Sequence, residues 1–237
     1  MVNNLPLLLL PGTLCDAEVW APFRSHLPSI NTHAVSLSGE RSTAEMARSL
    51  LQNAPSRFIV MGFSLGGLVA LEIMAQAPER ILGLALIAAN ARPDPPENTA
   101  SRRNGVATAI REGLTVHVTR DLWPSYVAES RLSDHALRRQ VCNMAERVGT
   151  SVYADQAEIA LNRIDSRPRL SNIDVPTLIV SGSEDKLNPK DRQEELASGI
   201  SDSRWIELQG VGHMIPLEAP AELAEATQCW LKRITAL

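Results

Sequence analysis

The chain has 237 residues, 44% of them hydrophobic and 21% charged, with a formal net charge of −4. That length fits one large α/β domain with room for an insertion, and the mild acidity argues against a nucleic-acid partner. Cys15, Cys142 and Cys229 are too few and too scattered for a disulfide framework or a Cys/His zinc site, so a reducing, cytoplasmic setting without a structural metal is expected.

In chain order, the first apolar run spans residues 5–10 and contains Leu7-Leu8-Leu9-Leu10. It has no basic residue before it, is too short for an export signal and ends at Pro11-Gly12, so it reads as a buried strand. No stretch approaches a membrane span, and no membrane partner is expected. Further strand-like runs fall at 33–37, 57–61, 81–88, 177–181 and 204–208, alternating with amphipathic stretches at 17–27, 43–53, 65–76, 189–198 and 220–233. That alternation predicts parallel strands joined by crossover helices.

The alternation stops between about 91 and 173. Pro93-Asp94-Pro95-Pro96 opens this region, Arg167-Pro168-Arg169 nearly closes it, and segments 99–113, 115–128, 133–148 and 151–163 read as helices. The expected organisation is a core of residues 1–90 and 174–237 with a helical cap insertion at 91–173. From Arg92 through Arg169 the chain carries twelve arginines and no lysine against ten carboxylates, on an otherwise acidic body. Solvated helix faces with i,i+4 pairs account for most such patterns. Arginine's planar fork also suits an anionic substrate or an acidic carrier protein.

The segment richest in chemistry is Gly62-Phe63-Ser64-Leu65-Gly66, set between an apolar run and a helix-like stretch. Strand, G-x-S-x-G, helix is the context of a nucleophile elbow, in which small residues let strand and helix approach and leave the serine hydroxyl exposed near helix N–H groups. A serine nucleophile needs a histidine base, and the histidine needs a carboxylate to orient it. The order Ser…Asp…His points to Asp185, after the fifth strand, and His213, after the sixth, both where strand ends open. Asp94, Glu184 and Glu218 are rival acids, with Glu218 better suited to bracing its loop. His26 and His33 precede the serine, and His117 and His135 belong to the cap. Two backbone donors complete such a site: Leu65 N–H, and Thr13 N–H from the loop after the first strand, with Leu14 as the fallback. Leu14, Trp123, Tyr126 and Tyr153 are candidate pocket residues, although aromatic residues of this kind more often pack helices together.

Together, Leu8-Leu9-Leu10-Pro11-Gly12, Gly62–Gly67, the run from Pro176 to Asp185, and Gly210-Val211-Gly212-His213 continuing to Pro220 resemble the α/β-hydrolase superfamily. They are most similar to compact, capped bacterial carboxylesterases such as the pimeloyl-carrier-protein methyl ester esterases and enol-lactonases. The chain departs from that pattern at Pro11-Gly12, where His-Gly is usual, and at Ser36-Leu37-Ser38-Gly39-Glu40, where Asp-x-x-Gly-x-Gly is usual. Only four residues precede the first strand, so the family's N-terminal antiparallel hairpin is not expected. The resemblance implies a mostly or wholly parallel sheet of about six strands flanked by helices, with a helical cap. It also implies hydrolysis of a small-molecule carboxylic ester without cofactor or metal. Lactone, thioester or carbon–carbon bond hydrolysis and perhydrolysis use the same apparatus, and a non-catalytic receptor is the alternative outside enzymology. Haloalkane chemistry is disfavoured, because its elbow would carry Asp where Ser64 stands.

Overall fold

The computed structural model describes residues 5–234. Four consecutive leucines make β1 (Leu7–Leu10), and their alternation settles how the core divides. Leu7 and Leu9 enter one hydrophobic cluster, Leu8 and Leu10 the other, so the strand is buried on both faces. The same division recurs along β3 (Phe58–Phe63), β4 (Ile81–Ile87) and β5 (Thr177–Gly182). With the edge strands β2 (Thr32–Ala34) and β6 (Ser203–Leu208), they form a six-stranded sheet in the order β2-β1-β3-β4-β5-β6, every pair parallel.

Helices cover both faces. A 3₁₀ turn, Ala17–Trp20, leads into α1 (Ala21–Ser25), where a single helix over 17–27 is expected from the sequence. Next come α2 (Thr43–Asn53) and α3 (Leu65–Gln76). Ser42 and Glu45 form a reciprocal cap at the start of α2, the Ser42 Oγ accepting from Glu45 N–H at 3.2 Å and donating to its carboxylate at 2.9 Å. β2 is shorter than the expected 33–37, because among the described residues its one strand partner is β1, which pairs with it only through Ala34.

Between β4 and β5 the chain forms the helical cap: α4 (Asn98–Glu112), α5 (Leu114–His117), α6 (Trp123–Tyr126) and α7 (His135–Leu161). The helix expected over 115–128 is interrupted by a π turn, Val118–Leu122. Pro124 lies just beyond it and has no N–H with which to continue the ladder. The two helices expected at 133–148 and 151–163 run on as α7 through a kink at Gly149, whose φ of 81° suits glycine. The chain then returns through β5, α8 (Lys190–Gly199), β6, the short α9 (Ile215–Glu218) and α10 (Pro220–Ile234). Among the described residues, no helix is long and apolar enough to cross a membrane.

Candidate active site

Ser64 joins β3 to α3 at φ 52° and ψ −113°, a conformation that costs a side chain energy and persists only when neighbours enforce it. The backbone enforces it closely. A Cβ on Gly62 would stand 2.2 Å from Gly66 O, and one on Gly66 would stand 2.3 Å from Leu10 O, so only glycine lets helix and strand approach this far. Ser64 N–H donates to Ile87 O at 2.9 Å, tying the turn to β4. Serine at a helix N-cap usually spends its hydroxyl on the helix. Ser64 makes no such cap; its Oγ lies 2.9 Å from His213 Nε2 instead.

His213 is 3% exposed, in the loop between β6 and α9, and its Nδ1 lies 2.8 Å from Asp185 Oδ2. An ionised carboxylate accepts only, so Nδ1 carries the proton and Nε2 accepts from the serine hydroxyl. Asp185 sits in the turn after β5, where its other oxygen accepts the N–H groups of Leu187 and Asn188 at 2.8 and 2.9 Å. Burial works to raise the Asp185 pKa, but the imidazole and these donors overcome it and hold the carboxyl below its usual range.

The histidine loop is also fastened to the cap. His213 N–H and Met214 N–H both donate to Tyr126 O, at 3.0 and 2.9 Å. Glu218 accepts from Gly212 N–H at 3.2 Å, Met214 N–H at 3.0 Å and Ala128 N–H at 2.9 Å. A Cβ on Gly212 would lie 2.3 Å from Ala128 N, so glycine is needed where cap and loop meet. Burial raises the Glu218 pKa against the pull of these donors.

The loop after β1 supplies the other half of the site. Leu14 N–H donates to Gln156 Oε1 at 2.9 Å, and Gln156 Nε2 donates to Leu37 O at 3.1 Å. The Leu14 donor is therefore taken, whereas Thr13 N–H has no acceptor among the described residues. Leu65 N–H opens α3, where the first N–H groups lack intrahelical acceptors. A cavity of about 560 Å³ lies above these groups, lined by Thr13, Ser64, Leu65 and His213 below and by Tyr126 and Tyr153 from the cap.

The structure brings Ser64, Asp185 and His213 together and commits the rival acids to other partners, Glu218 to the backbone N–H groups on either side of His213. Asp94 pairs with Arg102 and Arg163, and Glu184 accepts Glu129 N–H at 2.8 Å. Leu14 and Trp123 lie outside the cavity wall. Leu14 is 1% exposed within the core, and Trp123 packs in the same cluster while its indole donates to Leu132 O at 3.0 Å. His117 is buried between Asp121 and Tyr153. Gln156 is a residue that sequence reasoning misses, since a lone glutamine in a cap helix carries no motif. Asn188 is another: it donates to Ala88 O and accepts from Asn90 at the cavity edge.

The parallel sheet, the strained elbow and the buried histidine–aspartate pair define serine-hydrolase machinery. The chain belongs to the alpha/beta hydrolase fold family, which it matches over residues 41–220. It is 27% identical to the pimeloyl-[acyl-carrier protein] methyl ester esterase of Pectobacterium carotovorum subsp. carotovorum (strain PC1), the match covering 99% of this chain and 94% of that protein. Among solved structures it is similar to a thermophilic esterase from Thermogutta terrifontis (malate bound), with a TM-score of 0.83 and 25% identity over 98% of this chain and 91% of that one. It also shares the fold of the enol-lactonase from Burkholderia xenovorans LB400, with a TM-score of 0.84 and 22% identity over 97% and 92% of the two chains.

Proposed function

We propose that the protein hydrolyses carboxylic esters through an acyl-enzyme intermediate. The observation that carries this reading is a continuous line of hydrogen bonds, 2.8 Å and then 2.9 Å long, from the buried Asp185 carboxylate through His213 to the Ser64 hydroxyl at a cavity wall. Ser64 Oγ attacks the ester carbonyl while His213 Nε2 takes its proton, and Asp185 stabilises the resulting imidazolium. Leu65 and Thr13 N–H groups hold the oxyanion. Nε2 then protonates the departing alcohol, and water activated by the same nitrogen releases the acid and restores Ser64.

The substrate in this reading is a small-molecule ester. The Pectobacterium relative is named for an ester carried on a protein, and docking an acidic carrier would call for unmatched cations on the outside of the cap. Exposed Arg111, Arg120 and Arg147 each face a carboxylate at 2.6 Å, and among the described cap arginines only Arg138 and Arg139 of α7 have no ion pair, so few cations are left for such docking. An activated fluorophosphonate should label Ser64 in the folded protein, and Ser64→Ala should lose both labelling and turnover of p-nitrophenyl esters. Turnover retained by that variant would refute the mechanism. Labelling without turnover across esters of graded chain length, set beside lactones and acyl thioesters, would move the assignment to another acyl substrate.

A further inference from the structure

Asp94 follows β4 in the Pro93-Asp94-Pro95-Pro96 turn, and its side chain is 1% exposed. Two guanidinium groups share this one carboxylate. Arg102 of α4 grips both oxygens, Nε at 2.6 Å and Nη2 at 2.8 Å. Arg163, 9% exposed just beyond α7, reaches Oδ1 through Nη1 at 2.9 Å. The cluster therefore carries one positive charge in excess, where a single arginine would have neutralised Asp94. Burial works to raise the Asp94 pKa, and the two arginines still hold it below its usual value. Burial, with Arg102 as a like charge, draws the Arg163 pKa down against the pull of Asp94.

The excess charge has donors to offer. Arg102 Nη1 and Arg163 Nη2 donate to no acceptor among the described residues, and neither is sealed from accessible space. Both arginines line the same cavity as Ser64 and His213. The other arginines at this wall are balanced one for one by carboxylates. Arg92 pairs with Glu195 and Asp191, Arg167 with Asp165, and Arg192 with Asp191.

We infer that Arg102 and Arg163 bind a free carboxylate on the substrate, so the preferred esters carry an unesterified carboxylate remote from the scissile bond. The inference rests on the esterase reading, because it assigns the substrate of the same cavity. A planar guanidinium offers paired N–H groups that match a carboxylate, as the grip of Arg102 on Asp94 already shows. A monoanion also neutralises an excess of one charge, and the partly buried setting strengthens the attraction relative to open water.

The test compares kcat/KM of the unmodified protein within two isosteric pairs. Monomethyl adipate against its ω-carboxamide analogue places the charge on the acyl side. The butanoyl ester of glycolate against that of glycolamide places it on the alcohol side. The carboxylate member of one pair should be favoured about tenfold at low ionic strength, the pair that responds identifying the side. Added salt should shrink the preference, Arg102→Gln should bring the ratio toward one, and Arg102→Lys should keep part of it. Ratios at or below one in both pairs, from protein that labels at Ser64 and turns over the neutral esters, would overturn the inference and leave the esterase reading standing. A preference unchanged in folded Arg102→Gln would overturn it too. Absence of both labelling and turnover would remove the esterase reading and this inference with it.

Discussion

Asp185 is nearly inaccessible, yet it spends one oxygen on the backbone of its own turn and the other on His213. Asp185→Asn keeps the shape but places an amide where an acceptor is needed, which disfavours the tautomer that leaves Nε2 free. Turnover of a p-nitrophenyl ester should fall on the order of 10⁴-fold while thermal unfolding moves far less. Glu218 supports the same histidine by a different route, as acceptor for three backbone N–H groups in buried hydrogen bonds. Glu218→Gln keeps one acceptor oxygen and turns an NH₂ toward at least one of those donors. Each orphaned donor costs on the order of 1–3 kcal/mol. The variant should melt lower and lose turnover, since Gly212 and Met214 flank His213. An unchanged melting temperature with unchanged turnover would remove Glu218 from the account of how His213 is held.

The β3–Ser64–α3 unit shows most plainly what sequence conveys and what it leaves out. Gly62 and Gly66 were legible because their chemistry is local: a strand, a strained residue and a helix need small neighbours, and the spacing states as much. Gly66→Ala would put a methyl 2.3 Å from Leu10 O, so α3 must move away from β1. Such overpacking costs about 1–3 kcal/mol. The larger effect should be on catalysis, because the shift displaces Leu65 N–H, the proposed oxyanion donor, with turnover down about 10²-fold in a variant that still folds. Circular dichroism beside ester kinetics separates the two effects, and equal turnover would refute the close-packing argument. The cap was less legible at this scale. Its helices were expected nearly where they lie, but the π turn at Val118–Leu122 follows from a break that Pro124 alone does not announce. Gln156 reaching Leu14 and Leu37, and Arg163 meeting Asp94, join residues about 70 or more positions apart, and no periodicity encodes such pairings.

Cap and core share a buried apolar cluster, and buried polar links cross the same joint, so the pH dependence of the whole molecule should follow those links. Asp94 sits where the chain leaves the sheet for the cap, and its partners come from α4 and from the end of the cap. Its folded pKa lies below the ordinary value of 3.8, as does that of Asp185. Each therefore contributes stability that is complete above the unfolded value and is lost as pH falls through the lower, folded one. Glu218 has the opposite sign. Its folded pKa lies above 4.5, so the protonated form is favoured in the fold, and stability declines as pH rises from 4.5 through that higher value. Asp94→Asn isolates the first contribution. It removes the charge that Arg102 and Arg163 share and leaves two partly buried cations facing one another. Breaking a buried pair in this way costs about 3 kcal/mol, roughly 10 °C in melting temperature for a chain of this size. The expected signature lies in the pH profile as much as in the loss itself. Urea unfolding of the native chain should show stability falling steeply below about pH 4, while the variant starts lower at neutral pH and declines less on acidification, so the two curves converge. Parallel curves would show that Asp94 does not carry the acid sensitivity of the joint between cap and core.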